Sequence, residues 1–164
     1  MKTRWKELDR DKTDHGLGKP GPEMQKPCSG KTIELPEPGK AETGNLSLRQ
    51  SISARKSRRK YTGTPLSLAE LSYLLWATQG VRDVNEKASF RTVPSGGARH
   101  PFETYLFVHR VEGLEPGLYR YLPFDHALCA EDLSPVDEEE LDAAMLKHHF
   151  GGAVDFVWTA VPYR

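Results

Sequence analysis

The chain has 164 residues, with 23 Lys and Arg against 23 Asp and Glu and a sequence pI near 7.0. That length suits one domain and is short for two, and zero net charge removes the simplest argument for a nucleic-acid-binding or membrane-surface protein. Apolar residues make up 37%, below the roughly 45–50% of a globular domain on a count that also includes Gly, so part of the chain is not core.

The deficit lies at the N-terminus. From Met1 to Asn45 the large apolar residues are Met1, Trp5, Leu8, Leu17, Met24, Ile33 and Leu35, set among many Gly and Pro. Such a segment buries too little surface to offset its ordering entropy. It reads as an arm, residues 1–45, either disordered or extended over another surface, with Trp5 a candidate anchor. The folded part is expected to begin near Leu46 and to run through residues 46–164. The N-terminus has no apolar signal segment, and no stretch reaches the roughly 18 apolar residues of a membrane span. Two cysteines, Cys28 and Cys129, cannot make a disulfide framework. This points to a reducing, cytoplasmic setting. No internal repeat is visible.

Ser47-Leu48-Arg49-Gln50 has capping-box form, which predicts a short helix with Leu48 and Ile52 on one face. Ser67-Leu68-Ala69-Glu70 repeats the signal behind Pro65. Leu68, Leu71, Leu74 and Leu75 follow at helical spacing, with Gly80 as the stop. Glu103–Val111 is dense in aromatic and β-branched residues and predicts a central strand. A Gly/Pro turn then leads into an antiparallel strand over Leu118–Leu122. Ser134 and Pro135 predict the N-cap and first residue of another helix, with acidic residues 137–140 over its positive end. Lys147, His148 and His149 would then lie near its negative end, and Gly151-Gly152 would stop it. Val154–Val161 predicts a buried strand. The irregular alternation indicates an α+β fold.

Two segments carry candidate chemistry. In Arg55-Lys56-Ser57-Arg58-Arg59-Lys60, five cations and a hydroxyl lie within six residues. Arg offers bidentate contacts to phosphate oxygens, Lys a point charge and Ser a neutral hydrogen bond. A solvated basic face is the plain alternative, and a localisation or nucleic-acid patch a weaker one. In Pro94-Ser95-Gly96-Gly97-Ala98-Arg99-His100-Pro101 the small residues let backbone approach a flat ligand. An ordinary loop entering a strand is the alternative there. His148-His149 does not suggest a metal pair, since adjacent helical residues point about 100° apart; no metal site is expected. His100 has no nucleophile beside it. Cys129 reads as a small buried hydrophobe, and Ser57 and Ser95 lie in no hydrolase motif.

The runs RKSRRKYTGTPLSLAELSYLLWATQGV, RTVPSGGARHPFETYLFVHRVEGLEPGLYRYLP and VDFVWTAVPYR together resemble the SagB-type dehydrogenase branch of the nitroreductase family. The resemblance runs from Leu46 to Arg164, and the LPEP run at Leu35–Pro38 resembles the arm common in that branch. It implies a nitroreductase-like α+β fold with an antiparallel-rich sheet flanked by helices. It also implies an FMN-dependent oxidoreductase, an intertwined homodimer with flavin at the subunit interface. Arg55, Lys56, Ser57 and Arg59 match the segment that holds the FMN phosphate. Pro94, Ser95, Gly96, Gly97 and Ala98 match the segment lining the isoalloxazine ring, with Gly96 where Ala is common. Hydride passes to and from the flavin in this family, so no catalytic acid or base is expected from the protein. The substrate implied is a small molecule or a peptide heterocycle. Family members continue past the position of Arg164. The expectation is therefore a C-terminally shortened FMN-dependent oxidoreductase domain, with a non-catalytic homologue or one half of a split two-chain enzyme as the alternative, in which the apolar strand Val154–Val161 lacks a covering layer.

Overall fold

A computed structural model describes residues 9, 12, 16–19, 23–42, 45–85 and 88–161. Trp5 lies outside the described residues. The elements in chain order are β1 (Thr32–Glu34), α1 (Leu48–Ala54), α2 (Leu68–Gln79), β2 (Val81–Val84), β3 (Ser89–Arg91), β4 (Phe102–Val108), β5 (Gly117–Leu122), β6 (Ala127–Asp132), α3 (Glu138–Ala144) and β7 (Val154–Ala160). Five strands form one antiparallel sheet in the order β1-β6-β5-β4-β7, and β2 and β3 form a separate pair. This is an α+β arrangement with β4 in the interior of the sheet.

Both capping boxes form. In α1, Ser47 Oγ accepts from Gln50 N while Ser47 N donates to Gln50 Oε1. In α2, Glu70 plays the same part for Ser67, and these hydrogen bonds hold the Glu70 carboxyl below its ordinary pKa. Helix α2 stops at Gly80, whose N–H donates to Trp76 O at 2.8 Å. A side chain at Gly80 would collide with the Trp76 ring and carbonyl. The glycine is there for close approach, because its φ of −59° is not left-handed.

The alternation of the strands sets two faces. Leu106 and Val108 of β4, Tyr119 and Tyr121 of β5 and Leu128 and Ala130 of β6 pack on Leu71 and Leu75 of α2. Each fully buried aliphatic side chain of this kind contributes about 1.5–3 kcal/mol. Ile33, Val154 and Phe156 extend the same layer.

The segment before β1 holds the other face. Arg120 is fully buried and donates to Lys26 O (2.9 Å), Pro27 O (2.8 Å) and Glu131 Oε1 (2.7 Å). Gln25 bonds Asp125 and Phe124 N. The chain then rounds the sheet edge, pairs as β1 with β6, and reaches α2 at Pro36, which accepts from Ser72 Oγ. A Cβ at Gly30 would strike the Ala130 carbonyl, so only glycine allows this approach.

Three expectations change here. Cys28 and Cys129 form a disulfide with Cα atoms 5.6 Å apart. Cys129 is buried but paired, and the argument for a reducing compartment from cysteine usage loses its ground. Helix α3 begins later than Ser134. Asp137 is its N-cap, accepting from Glu139 N and Glu140 N, while Ser134 N is occupied in a turn with Asp132 Oδ1. The helix also ends at Ala144, with Leu146 and Lys147 in left-handed conformation. His148 and His149 therefore lie beyond it, and helix-end electrostatics does not explain them. The strand predicted over Glu103–Val111 ends at Val108, since Val111 bridges Leu66 instead.

Candidate functional site

The cation-rich segment follows α1 directly. Residues 55–60 are all exposed. Among the described residues, none of Arg55, Lys56, Arg58, Arg59 or Lys60 forms an ion pair with a carboxylate. The Arg59 guanidinium lies 5.9 Å from the centroid of the Phe150 ring, a cation–π distance that anchors this segment against the turn before β7. Tyr61 OH donates to Arg58 O, and the chain then enters the Leu66–Val111 bridge.

The glycine-rich loop precedes β4. Gly97 (φ 66°), Ala98 (φ 51°) and His100 (φ 43°) are left-handed, a concentration of strained backbone in four residues. Ser95 holds the turn from both sides. Its Oγ accepts from His100 N at 2.9 Å and its carbonyl accepts from Ala98 N at 3.0 Å. Pro94, Gly96 and Gly97 are exposed, and nothing lies within 4 Å of a Cβ built at Gly96. His100 is half-buried. Desolvation first, and the Arg91 charge second, depress its pKa against a hydrogen bond to the Ser89 backbone. This keeps the ring neutral at physiological pH.

The two segments join the fold at opposite ends of β4. The glycine loop leads into β4 at Phe102. Arg59 docks on Phe150, in the turn that leads to the Val108–Val154 end. Seven residues of β4 lie between these attachment points, about 20 Å at ~3.4 Å per residue.

The donor sets fit a phosphate-bearing flavin. Five cations without a carboxylate partner among the described residues, with a hydroxyl beside them, suit a phosphate dianion, and the open backbone at Gly96 and Gly97 suits a planar ring.

A second polar group lies on the α3 side of the sheet. His109 Nε2 is 2.7 Å from Asp155 Oδ2, and His149 Nε2 is 3.2 Å from the same oxygen. Nothing in the sequence joins these three residues; β4–β7 pairing and the turn before β7 do.

Comparison with known proteins decides the family. The nitroreductase family model matches residues 52–158, which enclose both candidate segments. The chain belongs to the nitroreductase family. A Methanocaldococcus jannaschii protein whose name places it among the nitroreductases is 40% identical over 124 residues, covering 74% of this chain and 58% of the relative. A trifolitoxin-processing protein of Rhizobium leguminosarum bv. trifolii is 40% identical over 55 residues, 33% of this chain and 15% of that protein. A nitroreductase structure from Ralstonia eutropha superposes with a TM-score of 0.59 at 29% identity, over 83% of this chain and 60% of that one. One from Anabaena variabilis shares the fold, with a TM-score of 0.52 at 23% identity over 69% of this chain and 23% of that one. The chain thus spans about three-fifths of the first two nitroreductase relatives' length. The nitroreductase fold expected from the resemblance is the observed one.

Sequence reasoning passed over two residues that fasten the surrounding fold: Arg120, which holds the segment before β1, and His126, which bonds Ser72, Pro36 and Tyr121. Arg120 and His126 give no local signal, because a single Arg in a strand or His in a turn is common. Only the tertiary fold shows what each holds.

Proposed function

We propose that this nitroreductase-family chain forms the phosphate grip and one ring wall of an FMN-dependent oxidoreductase of the SagB-type branch. The observation that carries this reading is the run of cations without carboxylate partners among the described residues, Arg55–Lys60, inside the region matched to the family. Arg55 and Arg59 would take phosphate oxygens, Lys56 would add charge and Ser57 a hydrogen bond. Pro94, Ser95, Gly96, Gly97 and Ala98 would lie along the ring, with Gly96 and Gly97 leaving the approach open. Bound FMN would supply hydride transfer through its N5. The chain's own part is to bind, orient and exclude water. A small molecule or a peptide heterocycle is the substrate class, and the likeness to a protein named for processing trifolitoxin favours the second.

The separation of the two segments supports a homodimer in which each flavin draws on two copies. So does the uncovered face of α1, where Leu48 is 77% and Ile52 68% exposed. The flavin part is proposed to lie within residues 46–164, onto which the preceding segment is built through β1 and the Cys28–Cys129 disulfide. A second reading is completion by a separate C-terminal half, or a non-catalytic role.

Titration of the chain with FMN, read by flavin spectra and sedimentation, separates these. The proposal expects one FMN per chain on a dimer. Arg59→Ala and Ser57→Ala should each weaken binding roughly 10- to 100-fold, the loss of one charge-assisted hydrogen bond. Binding only after the C-terminal half is added favours the second reading, and no binding even then refutes both cofactor proposals.

A further inference from the structure

The geometry points to a divalent transition-metal site of the zinc class at His109, His149 and Asp155, separate from the flavin segments. One ring nitrogen each of His109 and His149 and a carboxylate oxygen of Asp155 lie within 4.8 Å of one another. Two imidazole nitrogens and one carboxylate oxygen are a zinc-type donor set, and three protein ligands leave a fourth position for water or another ligand.

The hydrogen bonding in the absence of metal leaves one group over. Both rings converge on a single carboxylate oxygen. His109 is bonded to it at 2.7 Å. His149 Nε2 is 3.2 Å away but lacks the alignment of a hydrogen bond, and it has no other partner. Its side chain is 92% buried, being 8% exposed. A buried ring nitrogen without a hydrogen bond carries an uncompensated desolvation cost. A cation between the three atoms removes that cost, and two neutral imidazoles with one carboxylate leave it a net positive charge.

The ligands are also held in place beforehand. His109 N and Arg110 N both donate to Ala153 O at 3.0 Å, and Arg110 Nη2 donates to Gly151 O at 2.9 Å. Asp155 is fixed by the β4–β7 ladder opposite Phe107. The ion would tie the turn before β7 to the end of β4. That turn carries Phe150, the ring under Arg59.

Zinc and cobalt titrations of the full chain under non-reducing conditions test this, since an intact Cys28–Cys129 bond removes thiol competitors. One equivalent of Zn²⁺ should bind, and Co²⁺ should give the visible absorption of a four-coordinate N/O site. Asp155→Asn and His149→Ala should each weaken Zn²⁺ at least ~10-fold, while exposed His148→Ala leaves it unchanged. Circular dichroism confirms that each variant is folded, and should one ligand variant unfold, the other with His109→Ala decides. Failure of the wild-type chain to bind, or equal affinity in folded ligand variants, overturns the site.

Discussion

His126 shows how one residue can fasten distant parts of this chain. Its Nε2 lies 2.8 Å from Ser72 Oγ and 3.2 Å from Pro36 O, and its Nδ1 lies 2.8 Å from Tyr121 OH. Ser72 donates its own proton to Pro36 O. The network assigns the proton to Nε2 and leaves Nδ1 to accept from Tyr121. That neutral tautomer agrees with the direction of its pKa, which burial depresses against the opposing hydrogen bond to Pro36 and the charge of Glu37. The unfolded chain therefore takes up the proton more readily than the folded one. His126 contributes full stability above the ordinary value of 6.5, and loses it as pH falls below that value toward the depressed folded pKa. His100 acts in the same direction. Urea midpoints measured from pH 7.5 down to about 5 should fall for the wild type. A His126→Gln chain should start lower and show a shallower slope.

At the scale of elements, legibility followed locality. Helix α2 was readable because its capping box and leucine spacing are local facts. Strands β4 and β7 were readable from β-branched and aromatic density. Strand β6 was not: Ala127–Asp132 reads ALCAED, with little β propensity, and it is a strand because β1 and β5 pair on either side of it. Thr32–Glu34 is likewise a strand only beside β6. The start of α3 was misplaced because Ser134 and Asp137 both look like caps, and only the Asp132 turn tells them apart. Among site residues, the contiguous cations at 55–60 were legible. His109, His149 and Asp155 were not, because strand pairing assembles them. The disulfide belongs at this scale too, since it joins the segment before β1 to β6 across 101 residues of sequence. Reduction, or Cys28→Ser with Cys129→Ser, should lower unfolding stability by about 2–5 kcal/mol. Hydrogen exchange should rise first in residues 23–34, with α2 and β4 holding longest.

For the whole molecule, zero net charge is an average over segregated parts. Arg120 is compensated within the fold by Glu131 and Glu103. The cations of residues 55–60 have no carboxylate partner among the described residues and face solvent. The outer edge of β7 likewise has no strand partner among the described residues. Both features are those of a surface built to receive something. The central claim is that the cation run receives the phosphate of a flavin. It is tested most directly by titrating the chain with FMN and, in parallel, with riboflavin, which carries the same ring without the phosphate. The account predicts saturable binding of FMN, with riboflavin at least ~100-fold weaker, as expected when charge-assisted phosphate contacts are lost. Equal affinity for the two flavins would contradict it.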